Sequence, residues 1–290
     1  MNQAIRLPLP EAREQHGGLI GQILLAKQQI GMADLPRIAE CQREHGLRFG
    51  EAAVRLGLLS EKDIRSALSA QFDFPVLADA GRVHRHVVCA YDPYSPQAEA
   101  VRGARTQLLL HWLDGQRKLV AVVPADGDTR HGELFAANLA VTLAQASLQV
   151  LVIDANLRRP TQHALLDVPA GPGLADCLAA RSPFADAVRS VDGIDNLQLL
   201  QGGTEAPNPQ ELLSRPLFAE LLQQAGTRYD AVIVVSTALD QPSDMHLVAT
   251  RSRGAIVVAT RNHTRLKPLL AAKARLQASG VQLIGVVLND

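Results

Sequence analysis

Six short apolar runs, most of them rich in β-branched residues, recur through the latter part of the chain. They are KLVAVV (118–123), QVLVID (149–154), NLQLL (196–200), DAVIVV (230–235), GAIVVA (254–259) and VQLIGVVL (281–288). Helix-period patterns separate them, at about 132–147, 209–225, 243–251 and 264–278. Strands this uniformly apolar need cover on both faces, and crossover helices supply it. The expected fold class is therefore α/β, a parallel sheet with helices on both faces. Ligands of such folds bind at the carboxyl ends of the strands, which makes the residues there the first candidates for function.

Ahead of this alternation the chain reads differently. Residues 1–18 are polar and interrupted by proline, and are expected to be a disordered lead-in. From Leu19 to Leu77 the pattern is amphipathic helix and short turn, and it occurs twice. LIGQILLAKQQIGMADLPRIAECQ (19–42) is followed, after a five-residue spacer, by RFGEAAVRLGLLSEKDIRSALSAQ (48–71). Gly21/Gly50, Ile30/Leu59 and Gln42/Gln71 fall in register at an offset of 29. Residues 19–77 are thus expected to form a small, mainly helical duplicated domain. Residues 78–117 read as a connector carrying a helix from about Pro96 to Leu113, and 118–290 hold the sheet.

Composition sets outer limits. In 290 residues, 29 Lys+Arg balance 29 Asp+Glu, so no overall field draws the chain to nucleic acid or anionic lipid. Anion contacts are then expected to be local, at Arg48 and the 127–133 loop. The apolar runs are of strand length and the N-terminus lacks the apolar core of a secretion signal. Three cysteines, far apart and odd in number, point to a reducing compartment and away from disulfides or a metal site. The expectation is a soluble, cytoplasmic protein.

At the first strand's end, VVPADGDTRHGELFAANLA (122–140) has the loop and helix of a phosphate cradle but little of its chemistry. No Lys lies between Lys118 and Lys267, and no Ser or Thr opens the helix. The loop offers Gly127, Arg130 and Gly132. The second strand ends at Asp154, with Asn156 two residues on. Ser236 follows the fourth strand, and Asn289 closes the last, where its amide could read a purine edge.

Four stretches, YDPYSPQAEAVRGARTQL (91–108), AANLAVTLAQ (136–145), VLVIDANLRRPTQH (150–163) and GGTEAPNPQELLSRPLF (202–218), resemble a known family. It is the cytoplasmic kinase domain of the bacterial tyrosine kinases that partner chain-length determinants in exopolysaccharide synthesis, relatives of the MinD/ParA ATPases with a deviant P-loop. GLADCLA (173–179) and GVVLN (285–289) have counterparts in the same family. The N-terminal repeat resembles the tandem 24-residue cyclic-di-GMP-binding domain of type II secretion and pilus ATPases.

The first resemblance implies ATP with magnesium as cofactor, a ring-shaped homo-oligomer, and an inner-membrane chain-length-determinant partner that would hold the chain at the membrane. It also implies a phosphate-binding Lys or Arg and a magnesium-binding Ser or Thr, followed by two acidic motifs. Here the first pair becomes Gly132 and Glu133, or Arg130 and His131 with a two-residue insertion, and neither alignment supplies the hydroxyl. The acidic pair becomes Asp154 and Asn156, and the third acidic position is Ser236. The acceptor tyrosines expected in a C-terminal tail are absent, since the tyrosines are Tyr91, Tyr94 and Tyr229. Glu99, Arg102 and Arg105 match the family's ring-docking motif, and their spacing of three puts them on one helical face. The second resemblance implies a cyclic-di-GMP site at Arg48, Gly50, Gly57, Leu58 and Gln71, with Gly21 and Gln42 from the first copy. Leu19 stands there for the Arg and Gln28 for the second Gly. A catalytically degenerate regulator or scaffold, an active autokinase using Arg130 and Asp154, and a cyclic-di-GMP receptor are the three functions left to separate.

Overall fold

A computed structural model describes residues 19–61, 63, 64, 67, 77, 82–239 and 242–289. The lead-in, together with Leu68 and Gln71 of the second repeat, lies outside the described residues. The chain divides into two compact units, Met1–Pro75 and Val76–Asp290.

In the first unit, α1 (Leu19–Ala26), α2 (Asp34–His45) and α3 (Phe49–Arg55) surround a small core. The repeat is a duplication of structure as well as of letters. Leu24/Ala53, Ile30/Leu59 and Ile38/Ala67, all 29 apart, are buried pairwise. Both first helices end the same way: Gln28 N–H donates to Leu25 O and Gln29 N–H to Leu24 O, as Gly57 does to Val54 O and Leu58 to Ala53 O. This closure needs one left-handed residue, and Gln28 (φ 55°) and Gly57 (φ 68°) are those residues. Each second helix is then started by an aspartate: Asp34 accepts from Gly31 N–H and Asp63 from Ser60 N–H, both at 2.8 Å.

The second unit is built on a seven-stranded sheet of order β3-β4-β2-β5-β1-β6-β7. Its strands are β1 (Leu119–Pro124), β2 (Val150–Asp154), β3 (Val188–Ser190), β4 (Leu197–Leu200), β5 (Ala231–Val235), β6 (Gly254–Thr260) and β7 (Gln282–Asn289). All pairings are parallel except β3 with β4. The six expected strands are present. The seventh, β3, is three residues long, too short to show a period.

Alternation along the strands sorts the core into two layers. Ala121, Val123, Leu151, Ile153, Val232 and Val234 face one way, onto Phe218, Leu222, Met245 and Val248. Val120, Val122, Val150, Val152, Ile233 and Val235 face the other, onto Trp112, Leu139 and Val141. The helices are α4 (Pro96–His111), α5 (Arg130–Ala144), α6 (Pro209–Ser214), α7 (Pro216–Arg228), α8 (Pro242–Ser252) and α9 (Leu266–Ala278). Among the described residues four single turns, including Gln162–Leu165 and Leu174–Leu178, fill the loops. The one helix expected over 209–225 is broken in two because Pro216 holds Arg215 extended (φ −60°, ψ 145°).

The segment read as a connector packs into this unit. Val83, Val87, Cys89, Ala98, Leu108 and Trp112 belong to its core. Ser95 caps α4 by accepting from Ala98 N–H at 3.2 Å, with Pro96 in the first turn.

Candidate functional site

The loops after β1, β2 and β5 converge at the carboxyl edge of the sheet, because β5 is hydrogen-bonded between β1 and β2. β1 feeds through residues 125–129 into α5, which is buried along most of its length from Gly132 to Ala144. Small residues at 136, 137, 140 and 144 let this helix lie close to the strands. Gly132 is where α5 touches β1: a Cβ built there would stand 2.6 Å from Pro124 Cγ. No lysine, and no side chain of any kind, fits at that position without moving the strand end. Glu133 is buried, and its carboxylate accepts from Thr129 Oγ1 at 2.6 Å. Next to it, His131 pairs with Thr260 Oγ1 at 2.9 Å, and Thr264 Oγ1 donates to Asp126. Gly127 and Arg130 are exposed at the loop surface, and Arg130 N–H donates to Asp128 at 3.2 Å.

Asp154 is fully buried and its lone pairs are committed to backbone. Oδ2 accepts from Thr161 N–H at 2.8 Å and Gln162 N–H at 2.9 Å, and Oδ1 from Asn156 N–H at 3.3 Å. It closes the loop 155–161 and starts the turn Gln162–Leu165. Burial pushes its pKa up to about 7 against the pull of those donors, and the Glu133 carboxylate adds to the rise. Gln162, whose Nε2 donates to Glu133 O at 3.2 Å, ties the two acidic positions together. Asn156 is buried and uses its side chain on Arg159 N–H. Ser236 is buried too, and its Oγ has no partner among the described residues.

This donor set does not fit magnesium triphosphate. Aligned without a gap, the helix offers a glycine with no room for a side chain and a buried glutamate; with a two-residue insertion it offers the exposed Arg130 and a His131 held by Thr260, without a hydroxyl; the aspartate is engaged with backbone, and the third acidic position carries a serine. Asn289 closes β7 at the same edge, its carbonyl accepting from Arg261 N–H at 2.8 Å.

Two polar clamps at this edge were not legible in the sequence, because their partners are far apart along the chain. Arg158 Nε donates to Asp244 at 2.6 Å, joining the β2 loop to α8, and Asp244 is buried. Asp176 takes N–H groups of Gly173 and Thr204 and the Thr204 hydroxyl at 2.7–3.0 Å. Burial works against its charge, yet these donors hold its carboxyl below the ordinary range. Gly173 lies against Gln201 O and Gly203 (φ 84°) against the Asp176 carboxylate, each too close for a Cβ.

On α4 the three motif residues Glu99, Arg102 and Arg105 have different surroundings. Arg102 binds Glu99 and the Pro93 carbonyl. Arg105 turns inward and donates to Thr142 O at 2.9 Å, in the last turn of α5. The Glu99 side chain stays 73% exposed. Of the three tyrosines, Tyr91 is bonded to both backbone groups of Val83 and Tyr229 donates to Gln198 at 2.5 Å.

In the first unit Gly21 packs on the Phe49 ring, and a Cβ on Gly50 would meet Ile64 at 2.8 Å. Gly50 thus lets α3 approach the second helix of its repeat. Arg48 precedes α3 with its side chain exposed, and its N–H donates to Glu51 at 2.8 Å. Leu58 is half-buried against the core, and Gln42 Nε2 donates to Leu47 O at 3.4 Å.

Strand order and loop convergence define a P-loop-type α/β domain of the MinD architecture. The *Pyrococcus horikoshii* septum site-determining protein MinD, solved with Mg-ADP, superposes with a TM-score of 0.53 at 21% identity, over 59% of this chain and 70% of that one. The kinase domain of the *Escherichia coli* tyrosine kinase ETK superposes at 0.67 with 28% identity, over 70% and 79%. The tyrosine-protein kinase YwqD of *Bacillus subtilis* is 31% identical over 211 residues, 72% of this chain and 87% of its own length. No protein-family model matches the chain. The chain belongs to the bacterial tyrosine-protein kinase family.

Proposed function

We propose that this chain is a catalytically degenerate member of the family, acting as a regulator or scaffold of exopolysaccharide assembly and export. One observation carries the reading: aligned without a gap, the position of the phosphate-binding cation is Gly132, sealed against Pro124 beside the buried Glu133, and with a two-residue insertion it is the exposed Arg130, followed by His131 and no hydroxyl. Phosphoryl transfer in this fold is positioning and charge neutralisation, and here the helix start brings a carboxylate where a cation and a magnesium ligand are needed. The same edge offers Gly127, Arg130 and Asn289 for weak nucleotide contact without turnover.

The family resemblance supplies the partner, an inner-membrane chain-length-determinant protein, and a ring closed through Glu99, Arg102 and Arg105. The exposed Glu99 is the residue best placed to reach a neighbour, while Arg105 serves the subunit's own fold. Copurification with the membrane partner that is lost in Glu99→Ala supports this scaffold, and retention in that variant counts against it. Incubation of the purified chain with labelled ATP and magnesium separates the degenerate reading from an autokinase. Label transfer that disappears in Arg130→Ala or Asp154→Ala would overturn the degenerate reading.

A cyclic-di-GMP-sensing first unit is the second reading, favoured by the exposed Arg48 beside Gly50 in the better-matching copy. Calorimetric titration tests it: a signal lost in Arg48→Ala supports it, and no signal removes it.

A further inference from the structure

The opposite edge of the sheet carries a second, differently built cavity. At the amino ends of β1 and β6, residues leading into β1, residues of α7 and the end of α8 line a half-open cavity of about 580 Å³. That volume falls within the range of small-molecule sites. Four cations line it, Arg117, Lys118, Arg251 and Arg253, and no Asp or Glu does. Arg117 lies over the Trp112 ring and is bonded to Asp114 at 2.5–2.8 Å. Lys118, Arg251 and Arg253 have no ion pair among the described residues. The amides of Gln116 and Gln223 add neutral donors to the wall.

In a chain of zero net charge this is a concentrated positive field, assembled from segments more than a hundred residues apart. Arg253 is the telling member. It follows α8 at φ 62°, with its N–H donating to Ala249 O at 2.9 Å, a helix-ending position that glycine fills without steric conflict. Gly254 is the very next residue, and it is needed elsewhere: a Cβ there would stand 2.1 Å from the Trp112 ring. An exposed arginine thus sits in a backbone conformation that disfavours it, at the lining of the cavity.

We propose that this cavity binds a compact anion bearing two or more phosphate groups. Guanidinium forks match phosphate oxygens in pairs, and a cavity of this size holds a diphosphate ester. The limited volume suits such a ligand better than an extended acidic peptide. The site is distinct from the β1 loop, so it stands or falls independently of the function proposed above.

Calorimetry on the full chain at low salt tests it with pyrophosphate, ADP and UDP-glucose as probes. The expected result is one-to-one binding that weakens as salt is raised, at least tenfold weaker in Arg251→Gln with Arg253→Gly, and unchanged in Arg189→Gln, an exposed arginine of β3. The glycine suits the local backbone, so the double variant should fold, and an undiminished melting temperature would show that it has. Tighter binding of ADP or of UDP-glucose than of pyrophosphate supports the site and distinguishes its natural source. The proposal is overturned by absence of binding, by binding that Arg130→Ala abolishes and the double variant keeps, or by binding of a glutamate-rich peptide alone.

Discussion

Asp154, at the end of β2, is occupied by backbone. Its carboxyl is held by three backbone N–H groups and shielded from water, with a pKa pushed up to about 7. The unfolded chain releases this proton near pH 4, so between about pH 4 and 7 the folded state holds a proton that the unfolded state has lost. Stability from this group is therefore full below the unfolded value and declines as pH rises through that window. Asp154→Asn mimics the protonated acid. Its urea-unfolding free energy should match the parent near pH 4 and exceed it by roughly 2–4 kcal/mol at pH 8. Equal pH profiles for the two proteins would show that the carboxyl is ionised in the fold. Gly132 makes the complementary case. Gly132→Ala should lower stability by about 1–3 kcal/mol through the clash with Pro124, read from the same unfolding curves. A neutral result would mean that the helix start has room for a side chain.

At the scale of elements, helix ends carry most of the specific information. Both repeat copies close on a left-handed residue, and only the second uses glycine. Gln28→Gly should raise the melting temperature, corresponding to about 0.5–1 kcal/mol. A fall would mean that the Gln28 side chain contributes more than its backbone strain removes. On α4 the docking motif splits by the same logic. Arg105→Ala leaves Thr142 O without its donor and should cost about 1–3 kcal/mol, whereas the exposed Glu99→Ala should leave stability nearly unchanged. Denaturant curves on both variants measure the difference, so loss of assembly in the Glu99 variant can be assigned to the interface. The helices themselves could be expected from period and caps. The break at Arg215–Pro216 could also have been read from the proline, whereas the short β3 offers no signal.

For the whole molecule, strand sequence gave class and order of elements because uniformly apolar runs admit few arrangements. What stayed hidden was whatever depends on contact between distant segments. The Arg158–Asp244 and Asp176–Thr204 clamps are of this kind, and so is the basic cavity between the β1 lead-in and the end of α8. Zero net charge leads to the expectation of local anion contacts at Arg48 and the 127–133 loop, and nothing in the sequence points to residues 117–118 and 251–253. The candidate site itself was readable as a list of departures, and the structure adds their surroundings: Gly132 packs on Pro124, Asp154 is engaged with backbone, and the Ser236 hydroxyl is buried. The most direct test is calorimetric titration of the purified chain with ATP in the presence and absence of magnesium. The expected result is no binding that depends on magnesium, any metal-independent binding being lost in Arg251→Gln with Arg253→Gly and kept in Arg130→Ala. Tight binding that requires magnesium and is lost in Arg130→Ala would contradict the degenerate reading.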